Sequence, residues 1–257
     1  MLLATYSLWA RDIIRFYRQR SRVIGALGTP VVFWLLLGSG LGSSFRVNAD
    51  APVNYLQYFF PGTLALIVLF TAIFSTISVI EDRREGFLQG VLVAPVPRTT
   101  IVVGKILSGT TLAVIQAMLF LLLAPATGID LRADLILPLV VALLTLAFAL
   151  TGLGFLVAWQ LDSTQGFHAV MNLVLVPMWL LSGAVFPAEG ASWWIRAIMW
   201  ANPMTYGVTA LRVVLTGGTS VTGGGLPSFA MSLIVVFVFG CATAAIGILF
   251  VRSKRGR

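Results

Sequence analysis

Few residues in this chain have types and spacing that could do chemistry, and the densest group of them is not catalytic in kind. The stretch "EDRREGFLQGVLVAPVPR", Glu81 to Arg98, sets five consecutive charges ahead of a short apolar run punctuated by glycine and closed by two prolines. Catalysis would need a nucleophile with its base, paired carboxylates or a metal set. His168 is the sole histidine, and no Gly-x-Ser-x-Gly or His-Glu-x-x-His pattern occurs. Gly104-Lys105 is followed by Ile106 and lacks the upstream glycine of a phosphate-binding loop, which excludes nucleotide hydrolysis by that route. The single cysteine, Cys241, lies in an apolar run and offers neither a disulfide framework nor a Cys/His cluster. No catalytic residue, no metal ligand set and no cofactor bound by this chain is expected.

The elements that hold the charged stretch are membrane spans. Of 257 residues, 58% are hydrophobic and 10% charged, with a mean hydropathy of +0.97, whereas soluble domains are about a quarter charged. Apolar runs long enough to cross about 30 Å of hydrocarbon as helices lie at Val23 to Leu41, Phe59 to Ile80, Ile106 to Ala124, Leu135 to Trp159, Ala169 to Phe186 and Phe229 to Val251. Backbone satisfaction in lipid then favours an all-α membrane protein with six transmembrane helices. The expected organisation is an amphipathic helix over 1–22, one membrane domain over 23–251 and a basic tail over 252–257, with no fixed-period repeat.

An even number of spans puts both termini on one side, and the basic residues say which. Five Lys or Arg precede the first span, four lie between the second and third (Arg83, Arg84, Arg98, Lys105), none lies between the fourth and fifth, and four follow the last. The other loops hold only Arg46, Arg132, Arg196 and Arg212, so the positive-inside rule makes both termini cytoplasmic. The net charge of +8 therefore suits anionic lipid and topology rather than nucleic acid.

Ahead of the first span, Arg11, Arg15, Arg18 and Arg22 fall at spacings of four, three and four, with Tyr6, Trp9, Ile13 and Phe16–Tyr17 opposite. This pattern predicts an amphipathic helix in the cytoplasmic interface with its arginines toward lipid phosphates, or a solvated extension of the first span. Five arginines ahead of the apolar run argue against a signal peptide. Between Pro187 and Ser228, "SWWIRAIMW" and "PMTYGVTALRVVL" are each too short to span. Fusing them would enclose Arg196, Asn202, Pro203 and Arg212 and move the basic tail outside, so two short external re-entrant helices near 191–215, broken at Asn202 and Pro203, are expected.

Five adjacent charges at the bilayer centre would cost on the order of 12–17 kcal/mol, at roughly 2.5–3.5 each. Glu81 to Arg98 is therefore expected in water. Gly86 to Val93 can form a short helix stacking Phe87 on Val91 and Leu88 on Leu92, with Glu85 at its positive end and Pro95 and Pro97 ending it. Such a helix reads either as a plug for another protein's groove or as a connector packed on its own bundle. All nine acidic residues fall outside the expected span interiors, which leaves an ion-coupled carrier little to couple with.

These residues resemble the type-2, exporter-type permeases of ABC transporters, the group with drug-resistance, polysaccharide-export and nodulation-factor permeases. That family carries an acid-Arg-x-x-Gly stretch followed by leucines and a proline between spans two and three, matched here by Glu81, Asp82, Arg83, Glu85, Gly86, Leu88, Leu92 and Pro95. "PMWLLSGAVFP" and "WWIRAIMWANPMTYGVTALR" resemble its fifth span and external short helices through Ser182, Gly183, Phe186, Pro187, Asn202, Pro203, Tyr206 and Arg212. "YFFPGTLAL", with Pro61 and Gly62, is a weaker third match. Phe87 departs from the small polar residue of many relatives, and "AEGAS" from a proline-containing linker.

The resemblance implies a coupling helix near 85–94, presented by Asp82, Arg83, Arg84, Glu85, Gly86, Phe87, Leu88, Leu92 and Pro95 to a separate ABC ATPase subunit that holds ATP and Mg. It implies two ATPase copies, a second permease copy in a homodimer and a prokaryotic cytoplasmic membrane. The translocation path would run between protomers along spans one, two and five, with Pro30, Gly38, Pro177 and Trp179 as kink or approach positions, glycines and prolines merely tolerated by packing being the alternative. Asn202, Pro203 and Tyr206 would cap the exit, and Trp193, Trp194 and Trp200 would form an interfacial belt. The expected cargo is an amphiphile such as a drug-like molecule or lipid, with a glycan as alternative. A membrane scaffold or sensor recruiting a cytosolic partner is the alternative of another class.

Overall fold

A computed structural model describes residues 2–41, 55–216 and 227–253. Most of the described residues are helical and none lies in a strand: α1 Leu2–Arg18, α2 Arg20–Leu41, α3 Tyr55–Ser75, α4 Ile77–Arg84, α5 Phe87–Val93, α6 Thr99–Leu121, α7 Ala133–Gln160, α8 Thr164–Trp179, α9 Trp193–Ala201, α10 Pro203–Leu215 and α11 Phe229–Ser253. Among the described residues, six helical stretches are long and apolar enough to cross a membrane, Val23–Gly40, Tyr55–Arg84, Thr99–Leu121, Ala133–Gln160, Thr164–Ala184 and Phe229–Ser253. Arg46 and residues 254–257 of the basic tail lie outside the described residues.

The second span is α3 continued by α4 through a break at Thr76. There the hydroxyls of Ser75 and Thr76 donate to Ala72 O and Ile73 O at 2.7 and 2.6 Å, the back-bonding that bends a helix. This span is the buried centre, and 89% of its most apolar stretch is covered, against 22% for α2.

Small residues set the interhelical distances, as expected where no hydrophobic force separates helix from lipid. A Cβ on Gly109 would meet Ser75 Oγ and Thr151 Cγ2 within 2.5 Å, one on Gly152 would meet Thr243 Oγ1, and one on Gly240 would meet Phe148. α7 thereby packs on both α6 and α11. Trp34, Phe60 and Phe120 interlock edge-to-face and stacked between α2, α3 and α6. Thr71 and Gln116, both buried, pair their polar side chains across α3 and α6.

Three span limits differ from the sequence-based expectation, with consequences for charge. The third span begins at Thr99 rather than Ile106, which places Lys105 inside it; the second runs to Arg84 and carries Glu81 and Asp82; the fourth begins at Ala133 and includes Asp134. The acidic residues are thus not all outside the spans. His168 lies within α8, its ring 5.1 Å from that of Phe74.

Candidate functional site

The residues singled out in the sequence collect at the two ends of the bundle. At the basic end, α4 turns into α5 at Gly86, whose φ of 77° is in the left-handed region that only glycine enters cheaply. Gly86 N donates to Arg83 O at 3.3 Å and Glu85 N to Glu81 O at 2.9 Å, closing α4. α5 spans Phe87–Val93, close to the expected Gly86 to Val93.

The five charges are not simply immersed in water. Asp82 is wholly buried, and its cost is met by cations from two other helices. Arg11 grips it with both terminal nitrogens, Nη2 to Oδ1 and Nη1 to Oδ2 at 3.1 Å. Arg15 Nη1 adds a bond to Oδ1 at 2.9 Å, and Lys105 Nζ lies 2.5 Å from Oδ2. Lys105 also reaches Asp12 Oδ2 at 2.9 Å and Ser78 Oγ at 3.0 Å. Arg15 Nη2 continues outward to Glu85 Oε1 at 2.5 Å and Glu81 Oε2 at 3.3 Å. The hydrogen bond to Asp82 pushes the Arg11 guanidinium above its ordinary value against the opposing effect of burial.

This corrects the reading of α1. Arg11 and Arg15 face the acids of α4 rather than lipid phosphates, and the buried stripe is Leu8, Asp12 and Phe16, laid on α6 where Gly104 leaves room for Leu8. Asp12 was missed as a site residue; its signal was an acid at the centre of an apolar i, i+4 stripe. Lys105 had the matching signal, a cation two turns inside a span.

The remaining expected residues are split between anchoring and display. Arg83 donates to Asp162 Oδ1 and Trp159 O, each at 2.7 Å, and Arg84 Nε to Asp162 O at 2.9 Å, which ties α4 to the loop after α7. Phe87 lies under Arg11, whose guanidinium carbon is 3.6 Å from the ring centroid. Leu88 is buried, whereas Leu92 and Val93 are exposed, Val93 at 85%. The expected stripe is therefore divided: one side holds α5 to the bundle and its end points outward. Pro95 is exposed in the turn that follows.

At the opposite end, α8 loses regularity after Pro177. Leu180–Ala184 forms a wide turn with non-helical backbone at Leu181 and a φ of 77° at Gly183. Broken backbone at membrane depth persists only where its polar groups are re-satisfied, and here side chains of α3 and α10 do so. Asn202 caps α10 by accepting from Met204 N at 2.9 Å and donates Nδ2 to Met178 O and Leu181 O at 2.6 and 3.1 Å. Gly183 O accepts from Tyr58 OH at 3.2 Å and Arg212 Nη2 at 2.8 Å, while Trp179 Nε1 donates to Gly62 O at 2.8 Å. Gly62 has no room for a side chain, since its Cβ would fall 2.7 Å from that of Ala184.

Arg212, expected in the second short external helix, is 3% exposed inside α10 with its guanidinium 4.4 Å from the Tyr58 ring. The ring face and the Gly183 carbonyl replace water around it. Tyr206 OH donates to Trp200 O at 2.9 Å, linking α10 to α9. Trp179, Asn202, Pro203 and Tyr206 are thus brought together. Pro30 and Gly38 lie apart on α2, Gly38 against Leu56 of α3, and Trp193, Trp194 and Trp200 are exposed.

The two ends of the bundle thus carry an ion-paired helix at one and a stitched break at the other, and no group of three or more His, Cys, Asp or Glu that could hold a metal ion occurs among the described residues. The chain matches the family model "ABC-2 type transporter" over residues 4–216. It is 28% identical over 212 residues to the ycf38 protein of Cyanophora paradoxa, covering 80% of this chain and 72% of that one. It is 28% identical over 223 residues to nodulation protein J of Rhizobium leguminosarum bv. viciae, covering 82% of each. It is 25% identical over 218 residues to the daunorubicin resistance ABC transporter permease protein DrrB1 of Streptomyces coeruleorubidus, covering 82% of this chain and 74% of that one. With the family model spanning most of the chain and the expected six-span helical fold in place, the protein is a multi-pass membrane protein of the ABC-2 type transporter family, a family of transport permeases.

Proposed function

We propose that this chain is the membrane subunit of an ATP-driven exporter, with ATP and Mg held by a separate ABC ATPase subunit that docks on α5. The observation that carries this reading is the division of α5. Asp82, Arg83, Arg84, Glu85, Phe87 and Leu88 fasten it to α1, α6 and the loop after α7, while Leu92 and Val93 stand exposed at its end. A helix rigidly joined to several spans and offering an apolar tip is suited to transmit the push of a partner. A mere connector would not need such fastening.

In this reading two permease copies and two ATPase copies assemble, with both termini cytoplasmic by the positive-inside rule in a prokaryotic inner membrane. ATPase closure would drive the pair between inward-open and outward-open states. The path would lie between protomers along α2, the α3–α4 span and α8, the region of Pro30, Gly38, Pro177 and Trp179, and the stitched break at Asn202, Pro203 and Tyr206 would cap its exit. The proposed cargo is an amphiphile, drug-like or lipid. Similarity to a daunorubicin resistance permease and spans with few polar path residues favour it over a glycan.

The test is gentle extraction of the full-length protein from its host, identification of copurifying chains by mass spectrometry, and ATP hydrolysis on the same sample. A stoichiometric ATPase lost on Leu92→Asp is the expected result. A clean permease without any ATPase, under conditions that preserve a relative's complex, would favour a scaffold that recruits another partner.

A further inference from the structure

An open recess of about 400 Å³ lies at the basic end, lined by Pro97, Arg98, Thr99 and Arg252. We propose that it is a binding site for the phosphate headgroup of an anionic phospholipid. It brings together two arginines from different spans, and among the described residues no carboxylate lines it. Two guanidinium groups at one recess attract an anion. Arg98 is held in place, because its Nη1 donates to Val251 O at 3.2 Å and so fixes the end of α11 beside the start of α6. Arg98 and Thr99 also begin a 23-residue helix, whose positive dipole end adds to the attraction for phosphate.

Placement decides for a lipid over a soluble phosphate. The recess sits where both helices leave their spans, with the helices in contact just inside it, Gly247 against Val102. From there exposed apolar side chains continue along each helix, Val103 and Leu107 on α6 and Ile246 and Leu249 on α11. A headgroup in the recess thus has hydrocarbon-facing surface for its chains, as basic pockets between spans provide. The turn containing Pro95 and Pro97 leads from α5 straight into the recess, so a bound headgroup would brace the joint between α5, α6 and α11.

The experiment is native mass spectrometry of the purified full-length protein in detergent titrated with palmitoyl-oleoyl phosphatidylglycerol or, separately, the zwitterionic phosphatidylcholine of the same chains. Wild type is expected to retain the anionic lipid preferentially. At about 1 kcal/mol per arginine, Arg252→Gln should weaken it about fivefold and Arg98→Gln with Arg252→Gln about thirtyfold. Arg132→Gln, at the opposite end, should behave as wild type. Because Arg98→Gln also removes the bond to Val251, exposed Arg252 alone keeps the test decisive if the double variant fails to fold. Equal retention of both lipids, or undiminished retention in Arg252→Gln, would overturn the site. Thermal protection by inorganic phosphate alone, equal to that by the lipid and lost in Arg252→Gln, would overturn the lipid assignment in favour of a soluble anion. None of these readouts involves an ATPase or transport, so failure of the exporter reading leaves the proposal untouched.

Discussion

Lys105 Nζ lies 2.5 Å from Asp82 Oδ2, and both side chains are almost completely withdrawn from solvent. The pair joins the end of the second span to the second turn of the third. Around it Arg11, Arg15 and Asp12 complete a lattice that fastens α1 to the same point. A buried ion pair contributes little net stability against an apolar replacement, but a broken one leaves a charge in low dielectric. The lattice is therefore better understood as a specification of where α4 and α5 sit than as a source of stability.

That distinction is measurable. Asp82→Asn and Lys105→Met should each destabilise the protein by about 3–5 kcal/mol, because each strands buried partners. Asp82→Asn combined with Lys105→Met should cost clearly less than the sum of the two single changes. Thermal unfolding in detergent, followed by tryptophan fluorescence, reports both. Strict additivity would show that the two residues do not act as a unit.

Arg11 has two functions at one guanidinium, a two-pronged grip on Asp82 and stacking on Phe87. Arg11→Gln should free α5 while leaving the spans intact. Amide exchange over 86–93 should rise at least several-fold, with α7 and α11 unchanged. Arg11→Lys should not restore protection, since an ammonium offers neither the fork nor the planar face. Unaltered exchange over 86–93 would remove Arg11 from the fastening of α5.

What the sequence revealed and what it hid follow from the range of the interactions. The six spans were legible because apolar composition over about 20 residues is a local property. The break at Asn202 and Pro203 was legible because capping and proline chemistry are local too, and the structure starts α10 there. Arg11, Asp82 and Lys105 were misplaced for the opposite reason: their partners are 71 and 23 residues away in sequence. A charge judged without its partner is assigned to water or lipid headgroups. Arg212 was placed in the second short external helix, but its burial was hidden in the same way, the carbonyl it donates to at Gly183 being 29 residues distant.

Gly86 and Leu92 separate the shape of α5 from its contact surface. A Cβ at Gly86 would meet nothing within 4 Å, so Gly86→Ala is opposed only by its φ of 77°. The expected cost is about 1–2 kcal/mol, visible as lower thermal stability. Leu92→Asp changes an exposed tip and should leave unfolding unchanged while abolishing ATPase copurification. Loss of thermal stability in Leu92→Asp would mean that the tip packs on this chain rather than on a partner.

The outer closure makes a prediction about redundancy. Asn202→Ala removes the cap on Met204 N and the donor to Met178 O and Leu181 O, a combined loss of about 2–4 kcal/mol. Gly183 O, by contrast, has two donors, Tyr58 OH and Arg212 Nη2. Tyr58→Phe alone leaves Arg212 in place, and Arg212→Met alone leaves the tyrosine and also relieves the desolvation of a buried cation. Each single change should therefore be mild, about 1 kcal/mol or less if the remaining donor suffices. Together they orphan a carbonyl beside a left-handed glycine inside the bundle, and the pair should cost more than the sum of its parts. A large loss in Arg212→Met with Tyr58 intact would instead make the arginine's charge, rather than its hydrogen bond, the element that holds the broken helix.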